Sequence, residues 1–381
     1  MDKHLTKTRF TLSVFYFISG IIFASFTSRI PGIQHKLMLN DASLGIVLAC
    51  IPAGLMISMP FAGYFTSRFK MRSLLIAAAL AYSVLLLCLG FASSAWQVSV
   101  VLFLFGVSRT FFNVSVNTCS IVLQQQFKQS IVTSFHGIWS LAALLGALLS
   151  MMLIGWDVSM EYHFLIVSIF SVIVVFFFNG SIPEAGKGQP KKKLFSAANK
   201  GLLYLGFIAA GSMFCEGMMS DWSGIYFSKV GGVTGQYYVL GYASYLTTMV
   251  VGRFLGDWFL GKYGEMTMLR ASAFLLGMGF LVAVVFPYPI LIVIGFLLVG
   301  LGVSCFVPMI FLLASKNTVV PIGTAVSSVS LLGYIGFLFG PPIIGYLSET
   351  FGLQAAFISS ILVALLIGIA AMQVKQKQVI S

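Results

Sequence analysis

Glu216 and Asp221 stand inside the apolar run 201–227, within the stretch FCEGMMSDWS from Phe214 to Ser223. At the centre of a bilayer a charged side chain costs about 2.5–3.5 kcal/mol even on the lenient insertion scale, so acids placed there need a use. Glu216 falls near the middle of the run, beside Gly217, where a carboxyl withdrawn from water can load and release a proton. Asp221 lies nearer the far end. At about 100° per residue the two side chains point about 140° apart around a helix, so they need different partners. For Glu216 the other reading is a carboxyl tied into a fixed hydrogen-bond network.

Arg109 sits near the centre of another apolar run, with Asn113 and Asn117 at i+4 and i+8 on one drifting stripe. An arginine at that depth must face water, an anion or a carboxylate. It could hold an anionic substrate group through its planar fork, pair with Glu216, or serve packing alone. Amides on an inward face suit hydroxyl-rich solutes, and they equally suit helix joining. His136 and Trp139, at i and i+3 with Ser140 behind them, could exchange a proton and contact a solute, or act as structural donors. Trp222 reads either as an anchor at the membrane interface or as a ring for a sugar face. Arg253 and Asp257 form an i, i+4 pair of opposite charge, structural or gating. Gln124, Gln125 and Gln126 are expected at an inner mouth, simply solvated.

These groups must be positioned by membrane-crossing helices. The chain is 59% hydrophobic and 8% charged, with a mean hydropathy of +1.00, too apolar for a water-soluble globule. Apolar runs of about 20 residues recur from end to end, and each can cross the hydrocarbon as a helix. The expected spans are 10–30, 43–66, 73–93, 98–121, 131–155, 162–180, 201–227, 237–259, 269–287, 290–313, 323–346 and 354–373. The fold class is therefore all-α and membrane-spanning, with twelve helices. The opening MDKHLTKTRF leads into the first span without a small-residue cleavage site, and reads as part of an uncleaved first helix.

The longest polar interruption divides the chain into an N-terminal bundle at 1–180, a basic linker at 181–200 and a C-terminal bundle at 201–381. The net charge of +12 follows the loops rather than forming a nucleic-acid patch. With the N-terminus inside, Arg29, Lys36 and Lys229 are outside, Arg109 and Arg253 are in the membrane, and the remaining cations are cytoplasmic. The positive-inside rule then puts both termini in the cytoplasm, and KGQPKKK (Lys187 to Lys193) becomes a topogenic, lipid-facing linker. A shift of 194 positions lays Gly106 on Gly300, Gly146 on Gly340 and the hairpin at Arg68 on Lys262. It also brings Asp221 onto Thr27, two residues before Arg29, so Arg29 and Asp221 are candidates for an outer gate. Repeats of this kind place a site at the interface between halves.

Over nearly its whole length the chain resembles the major facilitator superfamily. GYFTSRFKMR (Gly63 to Arg72) and DWFLGKYG (Asp257 to Gly264) resemble its two hairpin signatures, with Ser67 and Gly261 where an acid is usual. A closer resemblance is to a bacterial branch that includes the YbjJ-type inner-membrane permeases and, more distantly, the fucose permeases. It is carried by SRIPGIQ, NVSVNTCS, SFHGIWSLAALLGA, CEGMMSDWSGIY, VGRFLGD and GYIGFLFGPPIIG, in that order. Asn113 stands where that branch often has an acid. The glycines and prolines of the last motif suit close packing and a bent helix.

No Walker loop, HExxH, paired CxxC or nucleophile elbow occurs, so no enzyme, metal or cofactor is expected. The five cysteines read as packing residues. The resulting expectation is a monomeric secondary carrier in the bacterial cytoplasmic (inner) membrane. It would import a small polar, sugar-like or anionic metabolite by alternating access and proton symport, with protons and the lipid bilayer as its other partners. The alternatives are a proton-driven exporter of amphipathic compounds and a non-transporting membrane receptor. Arg109, Asn113, Asn117, His136, Trp139 and Trp222 are the substrate-binding candidates. Glu216 and Asp221 are the proton-coupling candidates, and Arg29, Asp221, Arg253 and Asp257 the gating ones.

Overall fold

A computed structural model describes residues 3–127, 131–183, 200–316 and 322–373. Most of the linker expected at 181–200, including its basic run Lys187 to Lys193, lies outside the described residues. The described elements are α-helices joined by short turns and two 3₁₀ turns: α1 (Lys3–Ser28), α2 (Ile30–Lys36), α3 (Asp41–Arg68), α4 (Met71–Phe91), α5 (Ala95–Gln124), α6 (Val132–Gly155), α7 (Met160–Phe178), α8 (Lys200–Lys229), α9 (Leu240–Tyr263), α10 (Glu265–Val285), α11 (Pro289–Ser304), α12 (Phe306–Ser315), α13 (Ile322–Phe351) and α14 (Leu353–Gln373). With α11 and α12 counted as one interrupted rod and the short α2 set aside, twelve rods correspond to the twelve expected spans. Eleven of them are long and apolar enough to cross a membrane. The other is α9, which carries Arg253 and Asp257 within its length.

Two of the interruptions have a cause in sequence. Proline at position i removes the amide that would bond the carbonyl at i−4 and crowds that carbonyl with its ring. Pro31 does this to Thr27, and α1 ends at Ser28, leaving Arg29 at the break before α2. Pro308 does it to Ser304, and α11 ends at that residue. The span expected at 290–313 is thus two helices meeting at Cys305, whose thiol points to the carbonyl of Gly252 at 3.4 Å. Turns between rods can be as short as one residue. Gly264 alone joins α9 to α10 with φ 76 and ψ 164, a backbone region confined essentially to glycine that costs other L-residues about 1–3 kcal/mol.

The chain divides into two compact units, one of Met1–Met38 and Cys50–Pro190, the other of Leu39–Ala49 and Lys191–Ser381. The first turns of α3 therefore group with the second unit, a division inside a helix that hydropathy does not reveal. In unit 1, α1 packs along α6, and α4 along α5 and α7, over a core with Phe15, Phe112 and Phe135 fully enclosed. In unit 2, α8 packs along α13, α10 along α11 and α14, and α9 along α11.

Close helix approach uses glycine, and the two units repeat it in register. A Cβ on Gly106 would lie 2.1 Å from the carbonyl oxygen of Ile51, and one on Gly300 would lie 2.1 Å from that of Tyr245. Gly106 and Gly300 are 194 positions apart, and so are Ile51 and Tyr245. The same offset relates both members of each contact. All five cysteines are free, and Cys119 and Cys215 are buried.

Candidate functional site

In unit 1 the polar stripe of α5 meets aromatic residues of α1 and α6. The Arg109 guanidinium lies over the ring of Phe23, 3.9 Å from its centroid, and the Phe23 ring sits 6.1 Å from that of Trp139. Such a cation over an aromatic face is stabilised by about 0.5–2 kcal/mol, more as water is excluded. Among the described residues, no carboxylate of unit 1 is within ion-pair distance of Arg109. Two turns along α5, Asn117 accepts a 2.5 Å hydrogen bond from the Tyr16 hydroxyl, which in turn accepts one from Ser120 at 3.2 Å. Tyr16 stacks on Phe135 at 5.2 Å and meets the edge of His136 at 5.6 Å. Arg109, Asn113, Asn117 and Trp139 are half-buried, and His136 is exposed. The structure thus brings Arg109, Asn117, His136 and Trp139 into one cluster around Tyr16 and Phe23. Neither aromatic was singled out from sequence, although their spacing of seven on α1 places them on one helix face.

In unit 2 Glu216 of α8 and Arg253 of α9 form an ion pair, Oε1 to Nη2, at 3.9 Å, with each side chain 17% exposed. Arg253 therefore reaches across to Glu216 rather than along its own helix. Asp257 is exposed and makes no ion pair among the described residues, so the expected i, i+4 pairing is not formed. Asp257 is exposed on α9, whereas Glu216, 17% exposed, has a cation beside it. Tyr245, also on α9 and 1% exposed, lies within electrostatic reach of both members of the pair. Its hydroxyl is buried without a hydrogen-bond partner among the described residues. The space beside Gly217 is taken by Phe337 of α13, 3.2 Å from where a Cβ would stand.

Asp221 is half-buried on the same helix. Trp222, next to it, is 0% exposed and enclosed in unit 2, where the sequence suggests either an interface anchor or a ring for a sugar face. Its ring gains from burial, while its indole N–H is enclosed without a hydrogen-bond partner among the described residues. Gln124 also departs from expectation. Its side-chain carbonyl oxygen accepts the amide of Ile131 at 2.6 Å.

The break after α1 places Arg29 against α7. Its Nη2 donates to the carbonyl of Val158 at 2.6 Å and its Nε to Nδ1 of His163 at 3.1 Å. A neutral His163 then carries its proton on Nε2, which faces the Ser150 hydroxyl at 3.5 Å. His163 is fully enclosed, and nothing in its sequence surroundings marked it. Asp41, at the start of α3, is a second group that sequence reading missed. It pairs with Lys229 at 2.6 Å, accepts Ser348 at 2.5 Å, and donates its amide to Glu349 at 3.0 Å.

The profile of the Major Facilitator Superfamily matches residues 12–321. An uncharacterized MFS-type transporter of Yersinia pestis is 27% identical over 90% of this chain and 89% of its own length. Membrane protein MosC of Rhizobium meliloti is 28% identical over 97% of this chain and 90% of its own. Among solved structures, a single-site mutant of the nucleoside transporter NupG superposes with a TM-score of 0.79 at 15% identity, covering 96% of this chain and 99% of that one. That likeness is one of fold. The chain belongs to the Major Facilitator Superfamily: it is an all-helical multi-pass membrane protein and a secondary transporter of small molecules, not an enzyme.

Proposed function

We propose that this transporter imports a small polar metabolite, sugar-like or anionic, by proton symport and alternating access. The observation that carries the reading is the pair of Glu216 on α8 and Arg253 on α9, an acid and a base 17% exposed each and 3.9 Å apart. In this reading Glu216 takes up the transported proton. Its neutralisation frees Arg253, and the return of its charge re-forms the pair, so proton loading and conformational state are linked. Asp221 assists in proton transfer.

Substrate binding is assigned to Arg109, Asn113, Asn117, His136 and Trp139, with Trp222 supporting α8 from within its core. The support is chemical. A guanidinium resting on Phe23 keeps its in-plane N–H groups for a carboxylate or phosphate, while half-buried amides and an exposed imidazole match hydroxyls. Arg29 and Asp221 are assigned to an outer gate, Arg253 and Asp257 to an inner one. Both termini are placed in the cytoplasm and the chain in the bacterial inner membrane, with one chain as the working unit.

The test is uptake by purified protein in liposomes with the exterior held more acidic than the lumen. Metabolite accumulation above the external concentration, abolished when the proton gradient is collapsed, is the expected outcome. A substrate-driven proton flux of opposite sense would establish an exporter, and transport of nothing in a broad metabolite set would point to a receptor. A thermal-shift screen of sugars, sugar acids, amino acids and nucleosides comes first, since a ligand that binds the folded state raises its apparent stability.

A further inference from the structure

On unit 2, α10 and α14 leave a groove of about 340 Å³ along their length. Ala273, Gly277, Ala364 and Gly368 form its floor, because small residues leave the helix surfaces bare there. Phe274 and Met278 stand on its rim, the former 66% exposed. Arg270 closes one end.

We propose that this groove is a binding site for an anionic phospholipid, with one acyl chain lying on the glycine and alanine floor and the phosphate held by Arg270. Three observations converge on that ligand. The lining is apolar except for the arginine, so the site offers one positive charge at one end of a hydrocarbon slot.

The length fits as well. From Arg270 to Leu281 on α10, and from Met372 back to Ile361 on α14, the groove runs for about 16 Å at the helical rise of 1.5 Å per residue. One leaflet of a hydrocarbon core about 30 Å thick has about that depth. Arg270 lies at the end of the groove beside Ala371 and Met372, the last turn of α14. In the proposed site that end is taken as headgroup level, at the membrane face to which the C-terminal end of α14 points. With the proposed cytoplasmic termini this is the inner leaflet, where basic pockets between helices bind anionic headgroups.

The charge is also uncommitted. Glu265, the acid in the first turn of α10, is paired with Lys316 at 2.5 Å. Arg270 makes no ion pair among the described residues. Among the described residues it caps α14 through the carbonyls of Ala371 and Met372, each at 3.4 Å. Those are long hydrogen bonds, and they leave other guanidinium N–H groups for phosphate oxygens.

The floor can be altered without disturbing the helix contact. A Cβ on Gly277 would meet only Ala364 at 3.6 Å, and one on Gly368 only Ala273 at 3.9 Å, both ordinary contacts. Larger side chains there would extend into the slot.

The test places the full chain in nanodiscs of phosphatidylglycerol and phosphatidylcholine in equal amounts and counts, by native mass spectrometry, the lipids kept after release. Wild type is expected to retain phosphatidylglycerol in preference by about fivefold, the worth of one basic residue at an anionic surface. Arg270→Gln should remove the preference, Arg270→Lys should keep it, and Gly277→Leu with Gly368→Leu should lower retention of both lipids. Circular dichroism and gel filtration establish that each variant is folded. Equal retention of the two lipids by wild type, or an unchanged preference in folded Arg270→Gln, overturns the proposal. The readout is independent of transport, so it stands or falls apart from the symport reading.

Discussion

Glu216 and Arg253 sit 3.9 Å apart, joining α8 to α9 through the only two oppositely charged side chains that form an ion pair between those helices among the described residues. With each 17% exposed, the pair is largely removed from water. Removing one member of a buried pair costs about 3–5 kcal/mol, because the other charge is stranded, whereas removing both together costs far less.

Unequal costs should therefore appear in a double-mutant cycle. Arg253→Gln alone is expected to lower thermal stability in detergent markedly, and the added change Glu216→Gln to restore much of it. Asp257→Asn, at an exposed position, should leave stability within about 0.5 kcal/mol of wild type. Additive losses for Glu216 and Arg253 would mean that the pair has no coupling energy.

The proton-coupling role separates from stability in transport assays. Glu216→Gln is expected to retain counterflow exchange of substrate while losing accumulation against a gradient. Uphill uptake at wild-type level in that variant would remove Glu216 as the coupling group.

Arg109 offers a planar fork already seated on Phe23. Arg109→Gln should weaken binding of anionic substrates by about tenfold or more while neutral analogues change little, since a charge-assisted hydrogen bond is worth about 1.5–3 kcal/mol. Arg109→Lys should recover only part of the loss, a lysine having no flat face for the Phe23 ring. Equal losses for charged and neutral ligands, measured by calorimetry, would leave Arg109 a packing role.

For the gate, Arg29→Ala and Asp221→Ala are each expected to raise cysteine labelling from the outer side. His163→Ala provides the contrast: it removes one acceptor of Arg29 and leaves the Val158 carbonyl in place, so its effect on labelling should be smaller. No shift in either gate variant would discard the assignment.

The repeated glycine contact makes a prediction about packing. Gly106→Ala and Gly300→Ala should both destabilise strongly, because each new methyl would meet a backbone oxygen at 2.1 Å and the helices must separate. Gly277→Ala, facing only a methyl at 3.6 Å, should be close to neutral in the same melting experiment.

Much of the architecture is legible without coordinates, because in hydrocarbon every backbone amide and carbonyl must be satisfied within its own helix. Length and apolarity alone then separate the rods, and the all-helical reading needs no long-range information. Proline alone does not reveal the breaks: helices stop ahead of Pro31 and Pro308, yet Pro52, Pro60, Pro341 and Pro342 lie inside α3 and α13. The offset of 194 positions is visible in the sequence as matched glycines, but that Gly106 and Gly300 touch Ile51 and Tyr245 is not. One-dimensional periodicity gives the face of a helix and leaves open what that face meets.

The candidate site shows the same limit. Sequence determined which polar groups stand in apolar surroundings: Glu216, Arg253, Arg109, Asn113, Asn117 and His136. Tertiary structure decided their company, since contact depends on helix rotation and crossing, which single-span hydropathy does not encode. It turned Arg253 from Asp257 to Glu216, set Arg109 on Phe23, enclosed Trp222, and tied Asp41 to Lys229 across 188 residues of chain. A membrane makes each isolated charge costly wherever it lies in sequence, so its presence is conspicuous. The partner that offsets the cost is fixed only when the helices pack.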